Sequence, residues 1–293
     1  MTERDWLAEQ FESTRGHLRA VAFRMLGSLS EADDAVQETW LRLHSSNTES
    51  VENLGGWLTT VTSRICLDML RSRKSRREEP LEPSAPKPEP TPRAATDPEA
   101  EVALAEAVGY ATLVVLNRLA PAERIAFVLH DLFDIPFDEI ARITARTPEA
   151  ARQLASRARR RVRGATTLSR TELAQQRSLV EDFLAALRLG DPTKLMDLLD
   201  PAFTVHADAT SAPRGLPDVH GAEVWAAEAV LEAHGARLAR TAMVEGSVGI
   251  IVAPRGRLFR VLEFTFANGR IASMEIIGDP DRLRSLEIGT LTA

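Results

Sequence analysis

Several features that define large classes of protein are scarce in this sequence. One cysteine, Cys66, stands among 293 residues, which excludes an intrachain disulfide framework and a cysteine-rich zinc site. No apolar run reaches the roughly 20 residues that a membrane-spanning helix needs. The amino terminus, MTERDWLAEQ, is charged from its third residue and lacks the pattern of a secretory signal. We therefore expect a cytoplasmic protein that makes no contact with membranes.

An excess of positive charge is also missing. The chain has 36 lysines and arginines against 42 aspartates and glutamates, a formal net charge of −6 at pH 7. Any nucleic-acid binding must therefore come from local basic patches. The hydrophobic content of 44% is ordinary for a soluble protein, and the length is sufficient for two or three domains.

The clearest pattern lies between Pro121 and Arg163, where three consecutive helices are predicted. The last two form a helix-turn-helix across the short turn 144–147. Thr147 is expected to cap the last helix, and Pro148 suits its first position. The preceding helix, about 137–143, is expected to bury Phe137, Ile140, Ala141 and Ile143. The last helix has a narrow buried stripe at helical spacing: Ala151, Leu154, Ala155, Ala158 and Val162.

The opposite face of that last helix is rich in arginine. A helix with a small-residue back and a basic front can lie close to its partner helix and enter a major groove of DNA. The alternative is a solvated surface helix, the usual meaning of a charge run. We favour DNA binding because the basic face comes with a capped start and a short preceding helix. The candidate DNA contacts are Arg152, Gln153, Ser156, Arg157, Arg159, Arg160 and Arg163.

Two amphipathic helices are predicted at the amino-terminal end. The first runs over about 5–26 and ends at Gly27, and Ser30 with Asp33 has the spacing of a capping box for the second. The exposed face of the second helix carries acidic and amide side chains. They are explained either by the helix dipole or by docking of a basic partner. They are Asp33, Asp34, Gln37 and Glu38.

A polar loop, about 45–53, precedes a third predicted helix that reaches residue 77. Its buried stripe contains Trp57, Leu58, Val61, Ile65, Met69 and Leu70. Thr60, Arg64, Asp68 and Arg71 follow near-helical spacing on another face. Five of the seven residues 71–77 are basic, which is more than a helix dipole needs, so phosphate binding is predicted there.

Three stretches in this order resemble the extracytoplasmic-function (ECF) group of the sigma-70 family: DAVQETWLRL, GWLTTVTSRICLDMLRSRKSRR and the helix-turn-helix. The resemblance implies two all-α domains, 1–77 and 102–167, and two partners, core RNA polymerase and promoter DNA. It implies that the acidic face of residues 33–38 docks on the clamp helices of the polymerase. It also implies that the second domain reads the −35 element and meets the polymerase flap. The −10 element is assigned to Trp57, Thr60, Arg64, Asp68, Arg71, Arg73 and Lys74. Family members usually carry glycine in the turn where this chain has Ala145.

The segment 78–101 is predicted to be a linker. It contains seven prolines, seven acidic residues and two basic residues in 24 positions, so it cannot form a core. It is either a plain spacer or, by resemblance, a chain that threads the polymerase channel. An apolar helix is expected to resume at about 102–119.

The segment 171–293 is predicted to be a separate α+β domain. Helices are expected over 173–189, 193–199, 221–234 and 279–286. Strands are expected over 203–207, 237–245, 247–253, 258–267 and 270–277, and Asn268-Gly269 is a strong type I′ hairpin signal. Helices followed by a long antiparallel curved sheet resemble the cone-shaped SnoaL-like, NTF2-like superfamily. A subgroup of ECF sigma factors carries such an extension. That subgroup usually shows a WLPEP motif in the linker and a DGGGK motif in the last domain. Here only residues 80–83 resemble the first motif, and the stretch 208–215 lacks the glycines of the second.

A cone-shaped domain encloses a pocket, and its candidate polar residues are His206, Asp208, His220 and Glu263. A His/Asp pair can act in general acid–base chemistry, but the alternative of ordinary surface residues is favoured. No catalytic residue, metal site or cofactor is predicted. The expected function is that of a sigma factor that is not an enzyme and is regulated by contact between its C-terminal and sigma domains. Two competing functions are a helix-turn-helix regulator that never docks on polymerase and a SnoaL-like enzyme or ligand-sensing domain fused to DNA-binding helices.

Overall fold

We describe a computed structural model of the chain over residues 3–46, 51, 53–78, 110–211, 218–231 and 236–291. Apart from Glu78, the predicted linker 78–101 lies outside these residues, as does the centre of the predicted loop 45–53. The described residues form two compact units, one of residues 3–78 and 116–159 and one of residues 110–115 and 160–291.

The first unit begins with three helices: α1 (Glu3–Leu26), α2 (Leu29–Ser45) and α3 (Leu54–Glu78). Residues at helical spacing on each meet in one core, as the sequence predicts. The fully buried members are Phe11, Leu18, Val36, Leu43 and Leu58.

The predicted capping box at the start of α2 is wrong. Helix α2 starts at Leu29, and its N-cap is Ser28, whose side chain makes no capping hydrogen bond. Asp33 instead accepts two hydrogen bonds from Arg19 of α1, at 2.6 and 2.9 Å. The Asp33 side chain, which the sequence pattern assigned to the helix cap, is therefore engaged in an ion pair with another helix.

The helix-turn-helix region contains α4 (Tyr110–Arg118), α5 (Pro121–Phe127), α6 (Phe137–Thr144) and α7 (Pro148–Arg163). A π-helical turn, Val128–Leu132, follows α5 directly, a feature that the sequence did not reveal. All five residues of the predicted stripe on α7 are buried. Phe137, expected in the core, is only half-buried, and its ring lies 3.9 Å from that of His130.

The turn between α6 and α7 places an alanine in a left-handed conformation. Ala145 has φ 55° and ψ 52°, and the backbone N–H of Arg146 donates to the carbonyl of Ala141 at 2.9 Å. Thr147 caps α7 as predicted, since its Oγ1 accepts from the N–H of Ala150 at 3.2 Å. The tight turn is kept without glycine, at a steric cost to the Cβ of Ala145.

We expect Ala145→Gly to raise the free energy of unfolding by up to about 1 kcal/mol, because glycine adopts positive φ without a Cβ clash. Urea denaturation followed by circular dichroism measures the shift. Ala174→Gly, an exposed helical site in the second unit, is the matched control and should lower stability by about 1 kcal/mol. Equal losses in both variants would show that the turn does not strain Ala145.

The second unit is an α+β domain, as predicted. Its helices are α8 (Arg170–Leu189), α9 (Pro192–Leu198), α10 (Ala222–Leu231) and α11 (Pro280–Ser285). Its strands are β1 (Leu199–Ala207), β2 (Asp218–His220), β3 (Ala239–Val244), β4 (Ser247–Val252), β5 (Arg260–Ala267), β6 (Arg270–Ile277) and β7 (Ile288–Gly289).

These strands form one sheet in the order β2-β1-β6-β5-β4-β3-β7. The expected all-antiparallel sheet is wrong in one place, because β1 pairs with β6 in parallel. The short strands β2 and β7 were not predicted. The hairpin at Asn268-Gly269 is confirmed, since both residues have positive φ, as a type I′ turn requires.

Aromatic side chains fill the space between α8, α10 and the sheet. The ring of Phe183 lies 5.5 Å from that of Trp225 and 5.3 Å from that of Phe264, and Phe203 lies 5.5 Å from Trp225. All four are buried. This face of the sheet is therefore a packed core. Within the described part of the chain, no helix has the length and apolar character to cross a membrane.

Candidate nucleic-acid interface

One stripe of α7 is open and polar. Gln153, Ser156, Arg160 and Arg163 recur at helical spacing, and all four are exposed. In the part of the chain that the structure describes, no hydrogen bond or ion pair occupies their side chains. We call these four residues the α7 stripe. Its buried back and exposed front provide amide, hydroxyl and guanidinium groups that suit base edges and phosphates.

The other three predicted contacts on α7 have partners within the protein. Arg157 donates to Glu123 at 2.9 Å, and that carboxylate is only 7% exposed. Arg159 donates to Asp131, on the π-helical turn, at 2.5 Å. Arg152 lies over the ring of Phe137, 5.6 Å from its centroid, and 3.7 Å from Glu149. These arginines brace the helix-turn-helix, so the set assigned from the sequence divides into an open stripe and a bracing set.

Two exposed arginines near this surface were missed. Arg142 is in the last turn of α6, and Arg146 is in the turn before α7. The signal for them was present, since a turn with a basic residue next to a recognition helix is well placed for phosphates.

The acidic face of α2 is partly open. Asp34 and Gln37 are exposed, whereas Asp33 is held by Arg19, and Glu38 accepts from Arg42 at 3.0 Å. Leu41 lies one turn beyond Gln37 and two turns beyond Asp34, and it is 56% exposed. This leucine was not among the residues predicted from the sequence. Its signal was an apolar residue outside the buried stripe of its helix, and such residues mark interaction sites when polar groups surround them.

The predicted −10 residues lie on α3. Some of them lie on its polar side, whereas others pack against the protein. Thr60, Arg64, Asp68 and Arg71 recur every three or four residues on one side. Arg64 donates to the carbonyl of Arg142 at 3.2 Å. Trp57 packs half-buried against the core, and Lys74 is exposed.

Arg73 has a structural position instead. Its guanidinium donates to the carbonyl of Leu26 at 3.2 Å and pairs with Glu31. It therefore binds the C-terminal end of α1, where the helix dipole favours a cation. A cleft of about 330 Å³ lies between α2 and α3, next to Arg73, and Glu38 and Asp68 also line it. The cleft connects the acidic face of α2 to the polar side of α3.

Arg124 of α5 is buried in the first unit. It is 3% exposed, donates to Asn117 Oδ1 at 2.7 Å and reaches the carbonyl of Arg24 at 3.2 Å. Burial and the charge of Arg73 lower the pKa of Arg124. Burial also raises the pKa of the Cys66 thiol to about 12, so this cysteine is a buried, protonated side chain.

In the second unit, the candidate residues His206 and Asp208 do not pair with each other. His206 Nδ1 lies 2.6 Å from Asp218 Oδ1 instead. Asp208 accepts from the N–H groups of Gly278 and Asp279, each at 2.7 Å, and of Ser211 at 2.9 Å. Burial by itself would raise the pKa of Asp208, but these hydrogen bonds outweigh it and leave the pKa lowered. Asp208 is thus a staple that fixes the start of α11.

His206, His220 and Glu263 share the face of the sheet opposite to the aromatic core. Residues adjacent to them in the strands, such as Val205 and Phe264, are in that core, and strand side chains alternate between faces. Burial, followed by the charges of Glu275 and Glu245, raises the pKa of Glu263. These three candidates therefore lie on the opposite face of the sheet from the aromatic core, and their ligand-binding role stays a prediction.

Comparison with known proteins agrees with this arrangement. Residues 10–76 match the family model of Sigma-70 region 2, and residues 111–162 match that of Sigma-70, region 4. The ECF RNA polymerase sigma factor SigJ of Mycobacterium tuberculosis is 37% identical over 287 residues, which cover 93% of this chain and 92% of that protein. The probable ECF RNA polymerase sigma factor SigI of the same species is 32% identical over 286 residues, 98% of each chain.

A solved structure of the M. tuberculosis extracytoplasmic function sigma factor SigJ is 34% identical and covers 94% of this chain and 97% of that chain, with a TM-score of 0.45. The two region models match in the predicted order, and the relatives extend over the α+β domain as well as the helices. The chain belongs to the ECF sigma factors of the sigma-70 family.

Proposed function

We propose that this chain directs initiation through three surfaces: the α7 stripe on the −35 element, the polar side of α3 on the −10 element and the acidic face of α2 on the polymerase clamp helices. The family is that of sigma factors, which are not enzymes, and its partners are RNA polymerase and promoter DNA. The main support for this proposal is that the side chains of the α7 stripe are exposed. They make no hydrogen bond or ion pair with other residues in the described part of the chain. We assign no catalytic step to the chain.

The charge distribution supports this division of roles. The chain is acidic as a whole, so it gains little from non-specific attraction to DNA. Local arginines on α7 and the basic end of α3 supply the phosphate contacts, which position the protein. Base edges are then read by the few side chains that are free to reach them, foremost Arg160 and Gln153.

The docking face on α2 combines charge with an apolar centre. Asp34 and Gln37 provide polar groups around the exposed side chain of Leu41. A buried apolar anchor within a polar rim is the usual composition of a tight protein interface. We assign Leu41 to the contact with the clamp helices, in addition to the acidic residues predicted from the sequence. Contact of the helix-turn-helix domain with the polymerase flap is part of the same proposal.

Asp34→Lys should weaken binding to core RNA polymerase by about tenfold, because it reverses the charge at an exposed position of this face. The measurement is fluorescence titration of labelled protein with purified core polymerase at two salt concentrations. The matched control is Asp182→Lys, which makes the same charge change at an exposed position on α8. Unchanged core binding in Asp34→Lys, or an equal loss in Asp182→Lys, would reject the assigned face.

The linker 78–101 and the C-terminal domain complete the proposal. The acidic, proline-rich segment sets how far apart regions 2 and 4 can sit on DNA. The α+β domain regulates how the sigma domains use promoters. In vitro transcription with the full-length protein and with a variant that ends at residue 170 measures how the C-terminal domain changes promoter use.

A further inference from the structure

The C-terminal end of α7 is bound by a residue close to the end of the chain. The carbonyl of Val162 accepts from the N–H of Thr290 at 2.7 Å and from its Oγ1 at 3.0 Å. The last carbonyls of a helix have no partner inside the helix. One of them is therefore satisfied by a residue 128 positions further along the chain. All of these atoms belong to the second unit.

Two glycines allow this approach. Gly164, which follows α7 with φ 68°, lies against Gly289 of β7. A Cβ on Gly289 would lie 2.7 Å from the nitrogen of Gly164 and 2.8 Å from the carbonyl oxygen of Arg163. Both obstacles are backbone atoms, which cannot turn aside as a flexible side chain can. The contact between the two backbones therefore requires glycine at position 289.

The residues after α7 are fastened to the same edge of the sheet. The N–H of Ala165 donates to Glu287 Oε1 at 3.1 Å, and Thr166 Oγ1 donates to the carbonyl of Gly246 at 2.7 Å. Glu287 is held in turn by Glu245, whose N–H donates to the Glu287 carbonyl at 3.0 Å. Strand β7 also pairs with β3. The end of α7 is thus joined to the sheet by several short contacts. We call residues 287–290 the C-terminal clamp.

The C-terminal clamp leaves the DNA-facing side of α7 open. Its contact is at Val162, which is on the buried stripe of the helix and is 7% exposed. Arg160 and Arg163, on either side of Val162, stay exposed. A clamp that covered the α7 stripe would bury these arginines. The C-terminal clamp therefore holds the end of α7 without blocking access of DNA to the α7 stripe.

We propose that the C-terminal clamp positions the recognition helix, so that Gly289 and Thr290 contribute to promoter affinity without touching DNA. This inference rests on the proposed function, because it presumes that the α7 stripe binds DNA. A helix whose end is anchored loses less freedom when its side chains dock in a groove. The C-terminal domain therefore acts on promoter binding through the last turn of α7.

The test measures binding of holoenzyme to a duplex that wild-type holoenzyme has selected from a random DNA pool. Gly289→Ala should weaken duplex binding by about tenfold, and Thr290→Val, which removes only Oγ1, by about threefold. Thr290→Ser keeps the hydroxyl and should bind as wild type does. Core polymerase binding should be unchanged in all three, which shows that the first unit stays folded and docks normally.

Gly269→Ala is the matched control for domain stability. Gly269 has φ 74° in the β5–β6 turn and nothing within 4 Å of an added Cβ, so the change strains the backbone of the same domain outside the C-terminal clamp. Wild-type duplex binding by Gly289→Ala, or an equal loss in Gly269→Ala, overturns the clamp, as does tighter binding by Gly289→Ala. A wild-type holoenzyme that selects no duplex overturns the proposed function instead.

Discussion

Replacing Arg160 and Arg163 together by alanine should reduce binding of the holoenzyme to its selected duplex by about a hundredfold, because a good arginine contact to a base discriminates by about 1–3 kcal/mol. Specific transcription in vitro should fall to background for the same reason. Both guanidiniums are exposed members of the α7 stripe and brace no other part of the described structure. Core polymerase binding should not change, since the acidic face of α2 is untouched.

Salt dependence separates the two kinds of arginine contact. A contact with phosphate contributes about one unit to the slope of log affinity against log salt, whereas a contact with a base edge contributes specificity. We expect the double variant to lose slope and sequence preference together. Testing each single variant against duplexes mutated one base pair at a time assigns Arg160 and Arg163 to base or phosphate.

The control must remove the same charge elsewhere. Arg15→Ala with Arg237→Ala takes two exposed arginines from α1 and from the C-terminal domain. This pair should bind the duplex as wild type does. If it loses as much affinity as the α7 pair, the effect is one of net charge. If the α7 pair also loses core binding, the recognition role assigned to the stripe is wrong.

The helical part of the fold was predictable because its information is periodic. The stripe from Ala151 to Val162 and the cap at Thr147 can be read from spacing and residue type alone. The partners of individual arginines could not be read in this way. Arg157 and Arg159 meet Glu123 and Asp131 only because α5 and the π-helical turn pack beside α7. The sequence around each arginine does not indicate which helices pack beside it.

The sheet was predictable strand by strand but not in its connections. The β5–β6 hairpin carries its own signal in Asn268-Gly269. The parallel pairing of β1 with β6 joins strands far apart in sequence, and β7, with two residues, is too short for any periodicity. The C-terminal clamp depends on β7, so its contact with the end of α7 could not be predicted from sequence patterns.

The second large effect is expected at Arg124, which joins regions 2 and 4 inside the first unit. Its guanidinium bridges Asn117, near the start of region 4, and the carbonyl of Arg24 at the end of α1. Phe133, from the segment after the π-helical turn, adds to this contact, with its ring 5.3 Å from that of His17. The Arg24 guanidinium lies 5.2 Å from the centroid of the same ring.

Two opposing effects decide the size of the change. Burial and the nearby charge of Arg73 lower the pKa of Arg124, so the charged form is held at a cost. Hydrogen bonds to charged groups are worth about 1.5–3 kcal/mol each, and an arginine stays charged at neutral pH. The hydrogen bonds therefore outweigh the cost, while truncation leaves a cavity and a buried carbonyl without its partner.

Arg124→Ala should accordingly lower the free energy of unfolding of the first unit by about 3 kcal/mol. This value is below the sum of the losses from hydrogen bonding and packing, because the substitution also removes the cost of burying the charge. Arg124→Met fills most of the volume and should lose about half as much, since apolar replacement restores packing but not hydrogen bonding. Urea unfolding of the full chain gives both values. Hydrogen exchange at the amides of α5 and of the end of α1 shows whether the loss is local.

An exposed arginine on the same unit serves as the control: Arg15→Ala should change stability by less than about 0.5 kcal/mol. Equal stability of Arg124→Ala and wild type would mean that the buried guanidinium contributes no net free energy to the contact between regions 2 and 4.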